Sequence, residues 1–443
     1  MKKKRRPNFL AILLFLCILI GIFIFISYLY NKEQKRKILS SVENEIIEVN
    51  NYYLYGTHFN IEGKIKGIST NNIKDVKFTL VDILENEKEY DAVYKIDGNQ
   101  LNIATSKLIN EGIYLEDIKS GKYFLFLKIR YSNDEIKYYS MRNNTNYKDL
   151  EYYTITKNKT HKKIDIGFDI FKSNDKDKPY IKFNIAKTKL PTSVYDISID
   201  PGHGGSDPGA ISGKYKEAEI AMKHSAELKE KLEDLGLKVI LTRDGTEDTS
   251  ETSKFGVYSV YDFEGRVNIV GRAKVKYNFS IHVNSFDTNT LSGTEIYAPS
   301  NASLEIAQSL ADNIVKIANT TYSTRNTDKV SDGVYVRTFT EAEITESAET
   351  AQKKGFEPYN ITTSTPYLYM IREVGGKTTG AYIDGRNKGL GTNMYYNSNI
   401  GVESYLIELG YIINKTDLNN MLNNQTSYVD AIVKSIQENI CKE

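Results

Sequence analysis

Val194-Tyr195-Asp196-Ile197-Ser198-Ile199 leads without a break into Asp200-Pro201-Gly202-His203-Gly204-Gly205-Ser206-Asp207-Pro208-Gly209. The β-branched opening reads as a short strand. The glycines after it let the backbone turn sharply while His203 projects beyond the strand end. Residues 216–235 then read as a helix, with Ile220, Leu228, Leu232 and Leu235 on one stripe and Gly236 as its stop signal. Working outward, residues 238–241 read as a strand, 265–276 as a helix, and 279–282 and 294–297 as strands. Residues 304–318 read as an amphipathic helix through Ala307, Leu310, Ile314 and Ile317. Strands alternating with helices predict an α/β domain over residues 191–443, a mostly parallel sheet with helices on both faces. Sites in such sheets form where loops leave the carboxyl ends of strands, which is where the Gly-rich loop and His282 both fall.

Upstream, the periodicity changes to two. Phe59, Ile61 and Ile65 alternate with polar residues, as do Val76, Phe78 and Leu80, and then Tyr123, Leu125, Leu127 and Ile129. The same holds for Ile164, Ile166, Phe168 and Ile170, and for Ile181, Phe183 and Ile185. Such runs bury one face of each strand and predict an all-β, sandwich-like domain over residues 38–190, with antiparallel packing. No constellation of catalytic residue types falls there, and His58 and His161 each stand alone among turn and strand residues. The abundant tyrosines, 33 in the whole chain, allow a carbohydrate- or protein-binding face, so a spacer or docking module is the expectation.

Residues 9–30 carry no charge and are dominated by Leu, Ile and Phe. A helix of that length spans roughly 33 Å, enough for a hydrocarbon core of about 30 Å. Lys2, Lys3, Lys4, Arg5 and Arg6 precede it, which predicts a cytoplasmic N-terminus and an extracytoplasmic remainder, although residues 32–37 are basic as well. Residues 1–37 are therefore expected to be a basic tail and a single-pass membrane anchor. A cleaved signal peptide is the alternative; Ser27-Tyr28-Leu29-Tyr30 lacks the small residues a cleavage point needs.

Lys+Arg (58) and Asp+Glu (57) nearly cancel, for a net charge of +1, which excludes a nucleic-acid partner held by bulk charge. The two cysteines, Cys17 in the apolar run and Cys441 near the C-terminus, exclude a disulfide framework and a Cys-rich zinc site. The Gly-rich loop has neither a G-x-G-x-x-G frame nor a G-K-[ST] ending, so it is not a nucleotide cradle. What remains is His203 in the loop, Glu217 opening the helix, and His282 ending a strand. Two imidazoles and a carboxylate match the ligand set of catalytic zinc sites, which keep a fourth position for water. Their scatter along the chain makes spacing alone a weak indication.

Ile199-Asp200-Pro201-Gly202-His203-Gly204-Gly205 with Asp207-Pro208-Gly209-Ala210 resembles the opening motif of the zinc-dependent N-acetylmuramoyl-L-alanine amidases (the Amidase_3 family). Leu241-Thr242-Arg243, Ser280-Ile281-His282-Val283-Asn284 and Gly293-Thr294-Glu295-Ile296-Tyr297 are similar to that family's next blocks in the same order. Leu406-Ile407-Glu408-Leu409-Gly410-Tyr411-Ile412, with Asn414 and Asp417, resembles its closing block. The resemblance covers roughly residues 193–440 and leaves out the β-rich region. It implies that His203, Glu217 and His282 ligate Zn2+ and that Glu408 is the catalytic carboxylate. Glu219 competes with Glu217, because a first-turn carboxylate also suits the helix dipole. Glu403 competes with Glu408 but lies five positions away, on the opposite face of an extended strand. His224, two turns below Glu217, reads as a packed helix histidine or a group behind the ligands.

The implied activity is hydrolysis of the amide between N-acetylmuramic acid and L-alanine in peptidoglycan. The alternatives are a catalytically silent wall-binding protein with this fold, or a zinc peptidase cutting within the stem peptide, since fold does not fix reaction. Between residue 318 and Glu408 the chain departs from the family pattern with a long segment holding Tyr335-Val336-Arg337, Arg372 and Arg386. Segments this long are normally functional or disordered. Arg372, Arg386 and Asn284 are the candidate substrate-binding residues, the arginines as partners for a stem-peptide carboxylate or as ordinary surface charges.

Overall fold

The computed structural model of the 443-residue chain describes residues 18–25, 41–82, 87–145, 149–155, 161–173, 176–247, 265–353, 362–364 and 400–441. Of the apolar stretch 9–30, only residues 18–25 fall within that set. They are helical (α1), and Ile18, Ile20, Phe23, Ile24 and Phe25 are all exposed. Among the described residues no helix is long and apolar enough to cross a membrane; the rest of the stretch lies outside them.

The upstream region is built from β1 (Val42–Tyr55), β2 (His58–Lys66), β3 (Ile73–Asp82), β4 (Glu87–Asp91), β5 (Val93–Asp97) and β6 (Gln100–Ala104). It continues with β7 (Ile113–Tyr114), β8 (Gly121–Tyr131), β9 (Ile136–Asn143), β10 (Leu150–Tyr153), β11 (His161–Ser173) and β12 (Lys176–Thr188). Two layers, β9-β1-β2-β6-β5 and β4-β3-β8-β12-β11-β10, are joined through the β8–β9 pairing. Their inward side chains, among them Ile47, Val49, Ile61, Phe78, Leu125, Leu127, Ile164 and Phe183, form one core. Phe59 from one layer meets Phe183 from the other edge-on, ring centroids 5.3 Å apart. The alternation marks β2, β3, β8, β11 and β12. It misses most of β1, whose glutamates and asparagines hide the pattern. The antiparallel expectation also fails at β1, which runs parallel to β9 after a crossover through both layers.

The second sheet has strand order β16-β13-β17-β22-β18-β20-β19. Its members are β13 (Ile197–Pro201), β16 (Val239–Leu241), β17 (Tyr277–Asn284), β18 (Glu295–Ala298), β19 (Lys329–Ser331), β20 (Val334–Val336) and β22 (Glu403–Tyr411). A small hairpin, β14 (Ile211–Ser212) and β15 (Tyr215–Lys216), precedes the first long helix, and β21 (Ile400–Gly401) precedes β22. The four strands β16, β13, β17 and β22 are parallel, whereas β18 runs antiparallel to β22. Tyr335-Val336, expected within a long irregular segment, is instead part of β20, with Tyr335 fully buried.

The helices are α2 (Glu217–Asp234), α3 (Arg266–Arg272), α4 (Glu305–Ile317), α5 (Glu341–Lys353), α6 (Lys415–Asn423) and α7 (Gln425–Asn439). On one face of the sheet Ile197, Ile199, Phe279, Ile281, Ile407 and Leu409 pack with Ile220, Leu228 and Leu232 of α2, Leu310 and Ile314 of α4, and Ile432 and Ile436 of α7. The alternate residues make a buried polar ladder. Ser198 Oγ donates to Asn278 Oδ1 (2.7 Å), and Asn278 Nδ2 donates to Ser404 Oγ (3.2 Å). Arg266 of α3 reaches this face to meet Asp200 at 2.8 Å. The expected helix over 265–276 stops at Arg272. Lys274 takes a left-handed φ of 52°, and the chain enters β17 at Tyr277.

Candidate metal and catalytic site

His203 stands two residues beyond β13 with φ of 59°, a left-handed conformation that a non-glycine residue rarely adopts. The loop holds it there. His203 Nδ1 donates to Asp207 Oδ2 (2.9 Å), while Asp207 Oδ1 accepts from the Gly209 amide (3.0 Å). Arg243 braces the turn from below, its guanidinium donating to the carbonyls of Pro201, Gly202 and Ala218 at 2.9, 2.9 and 2.6 Å.

Glu217 is the first residue of α2 and is buried. Its carboxylate accepts from the amides of Ala210 and Val283, each at 2.9 Å, and from His282 Nδ1 at 2.9 Å. His203 Nε2 lies 3.1 Å from its other oxygen. Burial alone opposes its ionisation. The hydrogen bonds and charges of His203 and His282 outweigh that and hold the carboxyl well below the usual carboxylate range. Conversely, burial depresses the His203 imidazole, but Glu217 and then Asp207 outweigh it and raise the pKa above the ordinary value.

Two glycines make the space. A side chain at Gly202 would put its Cβ 2.4 Å from His282 Cε1. One at Gly209, where φ is +64°, would fall 2.6 Å from His203 Cδ2 and 2.7 Å from Glu217 Oε2. The two imidazoles face each other edge-on with centroids 5.0 Å apart.

Strand pairing supplies the fourth group. Register sets His282 of β17 beside Glu408 of β22, and Glu408 beside Glu295 of β18, so the three occupy one row across adjacent strands. Glu408 Oε2 is buried with no hydrogen-bond partner, and so is His282 Nε2. Burial, with Glu217 and Glu295 adding like charge, pushes the Glu408 carboxyl well above its ordinary range. Glu295 is saturated: it accepts from Ser323 Oγ (2.7 Å), Tyr297 Oη (2.7 Å), Asn284 Nδ2 (3.0 Å) and the Tyr411 hydroxyl. Asp417 fixes the far end of the row, accepting from the amides of Gly293 (2.8 Å) and Tyr411 (2.9 Å).

Ligand atoms of His203, Glu217 and His282 all lie within 4.8 Å of one another. Glu219 is exposed and pairs with Lys216, away from the cluster. Glu403 sits at the opposite end of β22, in register with Tyr277. His224 is a packed helix histidine: Nδ1 donates to the Ile220 carbonyl (2.9 Å), and burial pushes the pKa down to about 4. Asn284, expected to bind substrate, donates from Nδ2 to Glu295 Oε2 at 3.0 Å. Arg372 and Arg386 lie outside the described residues.

Sequence reasoning missed Asp207, Arg243 and Glu295 as parts of the site, although all three stand in the motifs quoted above; each carries a charge in an otherwise apolar or glycine-rich block. It also missed Arg266, which no motif marks. Arg266, Ser280 and Thr242 together overcome the burial of Asp200 and keep its carboxyl below the ordinary range beneath the loop.

A family model described as N-acetylmuramoyl-L-alanine amidase matches residues 197–441, more than half of the chain. The germination-specific N-acetylmuramoyl-L-alanine amidase of Bacillus subtilis is 30% identical over 129 residues, 29% of this chain and 51% of that protein. The N-acetylmuramoyl-L-alanine amidase AmiC of Neisseria meningitidis is 39% identical over 102 residues, 23% of this chain and 22% of that protein. The chain thus spans about half the length, or less, of these curated relatives. Among solved structures, the CwlD amidase of Clostridioides difficile in complex with the GerS lipoprotein is 20% identical with a TM-score of 0.34, covering 55% of this chain and 97% of that one.

Proposed function

The chain belongs to the N-acetylmuramoyl-L-alanine amidase family, and from that premise we propose that it hydrolyses the amide between N-acetylmuramic acid and the L-alanine of the stem peptide in bacterial peptidoglycan. One observation carries the reading: two imidazoles and a carboxylate converge beside a buried carboxylate that has an oxygen free. The donor set is that of catalytic zinc sites, and the unpartnered His282 Nε2 and Glu408 Oε2 are the kind of buried polar atoms such a site leaves for ion and substrate. His203, Glu217 and His282 would hold Zn2+. When bound, zinc supplies Lewis acidity toward the scissile carbonyl and the attacking water.

Glu408 takes a proton from that water as oxygen adds to the carbonyl carbon. It returns the proton to the alanine nitrogen as the C–N bond breaks, leaving a lactyl carboxylate and a free amine. Burial beside Glu217 and Glu295 makes it a stronger base than an exposed glutamate, which suits a group that must both accept and donate. Asp207 fixes the His203 ring, and the Glu217 carboxylate anchors His282.

Residues 9–30 are part of the same reading, as a single-pass anchor that would hold this domain outside the membrane; the uncharged length of the stretch and the basic residues before it support it. Purified sacculi incubated with the full chain, with and without chelator, test the proposal. The expected products are lactyl-ended glycan and intact peptides, lost in His203→Ala together with bound zinc and lost in Glu408→Ala with zinc retained. Cleaved peptides would instead indicate a peptidase, and no release a silent wall-binding protein. Undiminished digestion by the chelated protein would exclude the metal mechanism.

A further inference from the structure

The foot of the catalytic sheet is held by the β domain. The turn between β1 and β2, Tyr55-Gly56-Thr57-His58, meets the first residues of β17 and β22, the two strands that carry His282 and Glu408 at their other ends. Thr57 Oγ1 and Tyr277 Oη hydrogen-bond at 3.0 Å. Asn110 Nδ2 donates to Glu403 Oε1 at 2.7 Å, and the same side chain is bound to the backbone of Ser303, accepting from its amide at 2.6 Å. Tyr405 donates to Glu403 as well and stacks on Phe279 of β17, centroids 6.0 Å apart at 17°.

Gly56 has φ of +53°, and a Cβ there would lie 2.5 Å from Glu403 Oε2, so the turn closes directly onto that carboxyl. Just before β22, β21 pairs in parallel with β1, Leu54 opposite Ile400 and Tyr55 opposite Gly401. The same two neighbouring strands are therefore gripped at Tyr277 and Glu403, five residues or about 16 Å below the His282–Glu408 pair.

We propose that Asn110 is a positioning residue: through Glu403 it fixes the strand β22 against β17, so that the β domain sets the placement of Glu408 beside the metal-ligating imidazole. The catalytic part of this statement rests on the amidase reading above; the mechanical part does not. A displacement of about 1 Å at a reacting group costs up to about a hundredfold in rate, so a clamp at the foot of the strand is felt at its tip. The β domain is in this view a component of the site rather than a spacer.

The test uses the full chain and two readouts, hydrogen exchange followed by mass spectrometry and turnover on sacculi. Asn110→Ala is expected to speed exchange in the peptide containing residues 403–411 while leaving α2 unchanged. It should lower kcat about tenfold, with KM and zinc affinity within about twofold. The exchanged pair Asn110→Asp with Glu403→Gln, in which an amide again donates to a carboxylate, should restore both readouts. Should Asn110→Ala fail to fold, Thr57→Val removes the bond to Tyr277, along with the longer contact of the same hydroxyl with His58 Nδ1 at 3.4 Å, and should lower kcat about threefold with the same local exchange signature. Uniformly faster exchange, unchanged exchange in β22, or no rescue by the exchanged pair would each overturn the proposal. A wild-type chain that releases no product overturns the amidase reading instead, and the exchange experiment still decides the clamp.

Discussion

Glu403, buried, and Glu408, half-buried with its Oε2 enclosed, are carboxyls on one strand five residues apart, and they differ in how their oxygens are used. Glu403 is enclosed by Asn110 and Tyr405, and burial pushes its pKa up to about 7. Glu408 has an oxygen with no partner and faces two further carboxylates. A buried carboxyl whose hydrogen bonds are met acts as a structural tie. One left unmet is destabilising, as expected of a group kept for a reaction or a ligand.

The largest effect that sharpens this contrast is Glu408→Gln. Turnover should fall about a thousandfold with zinc content unchanged, and the melting temperature should hold or rise, because a neutral amide no longer faces the like charges of Glu217 and Glu295. A fall in stability matching that of a tie would break the contrast. Glu403→Gln is next. Folding raises the Glu403 pKa from an unfolded value near 4.5 to about 7, so this group's contribution to stability is fully present below pH 4.5 and is lost as the pH rises to 7. The glutamine variant stays neutral. Denaturant titrations should show it gaining up to about 3 kcal/mol over the wild type across that window and nothing further above it.

Asp207→Ala follows, freeing the His203 ring. Zinc affinity measured by competition with a chromophoric chelator should weaken between about 10- and 100-fold, with the melting temperature of the chelated protein little changed. Smallest is Tyr405→Phe, which removes one of the two donors to Glu403. About 1 kcal/mol of stability at pH 8 should be lost in the same denaturant titrations, and none in a Glu403→Ala background.

The parts legible in the sequence are those set by local pattern. The glycines around His203 declare a loop, and the stripe of α2 with Gly236 after it declares the helix. Gly236 indeed adopts φ of 87°, with its amide bonded to Glu233. Glu408 over Glu403 follows from which face of a strand a residue takes, whereas Glu217 and Glu219 share a first helical turn and are separated only by the fold, which buries Glu217 and leaves Glu219 exposed. The row His282–Glu408–Glu295 was not legible, because it depends on β22 lying between β17 and β18, an order fixed by tertiary pairing. The polar ladder from Ser198 to Ser404 conceals a sheet face that apolar counting overlooks. Asn110, an ordinary asparagine in a loop, carries no mark of its contact with Glu403, nearly three hundred residues away. The apolar segment at residues 9–30 is the converse case: composition marks it plainly, while of its length only residues 18–25, a helix, fall among the described residues.

The two residues of β21 have a consequence beyond the clamp. Strand β9 pairs with β1 only as far as Val49, and β21 lies along β1 at Leu54 and Tyr55. An open run of amide and carbonyl groups there would be a template for another molecule's strand. By laying its own chain on that margin, the protein shields the sheet from recruiting its neighbours, so loss of β21 should surface as self-association as well as lost turnover.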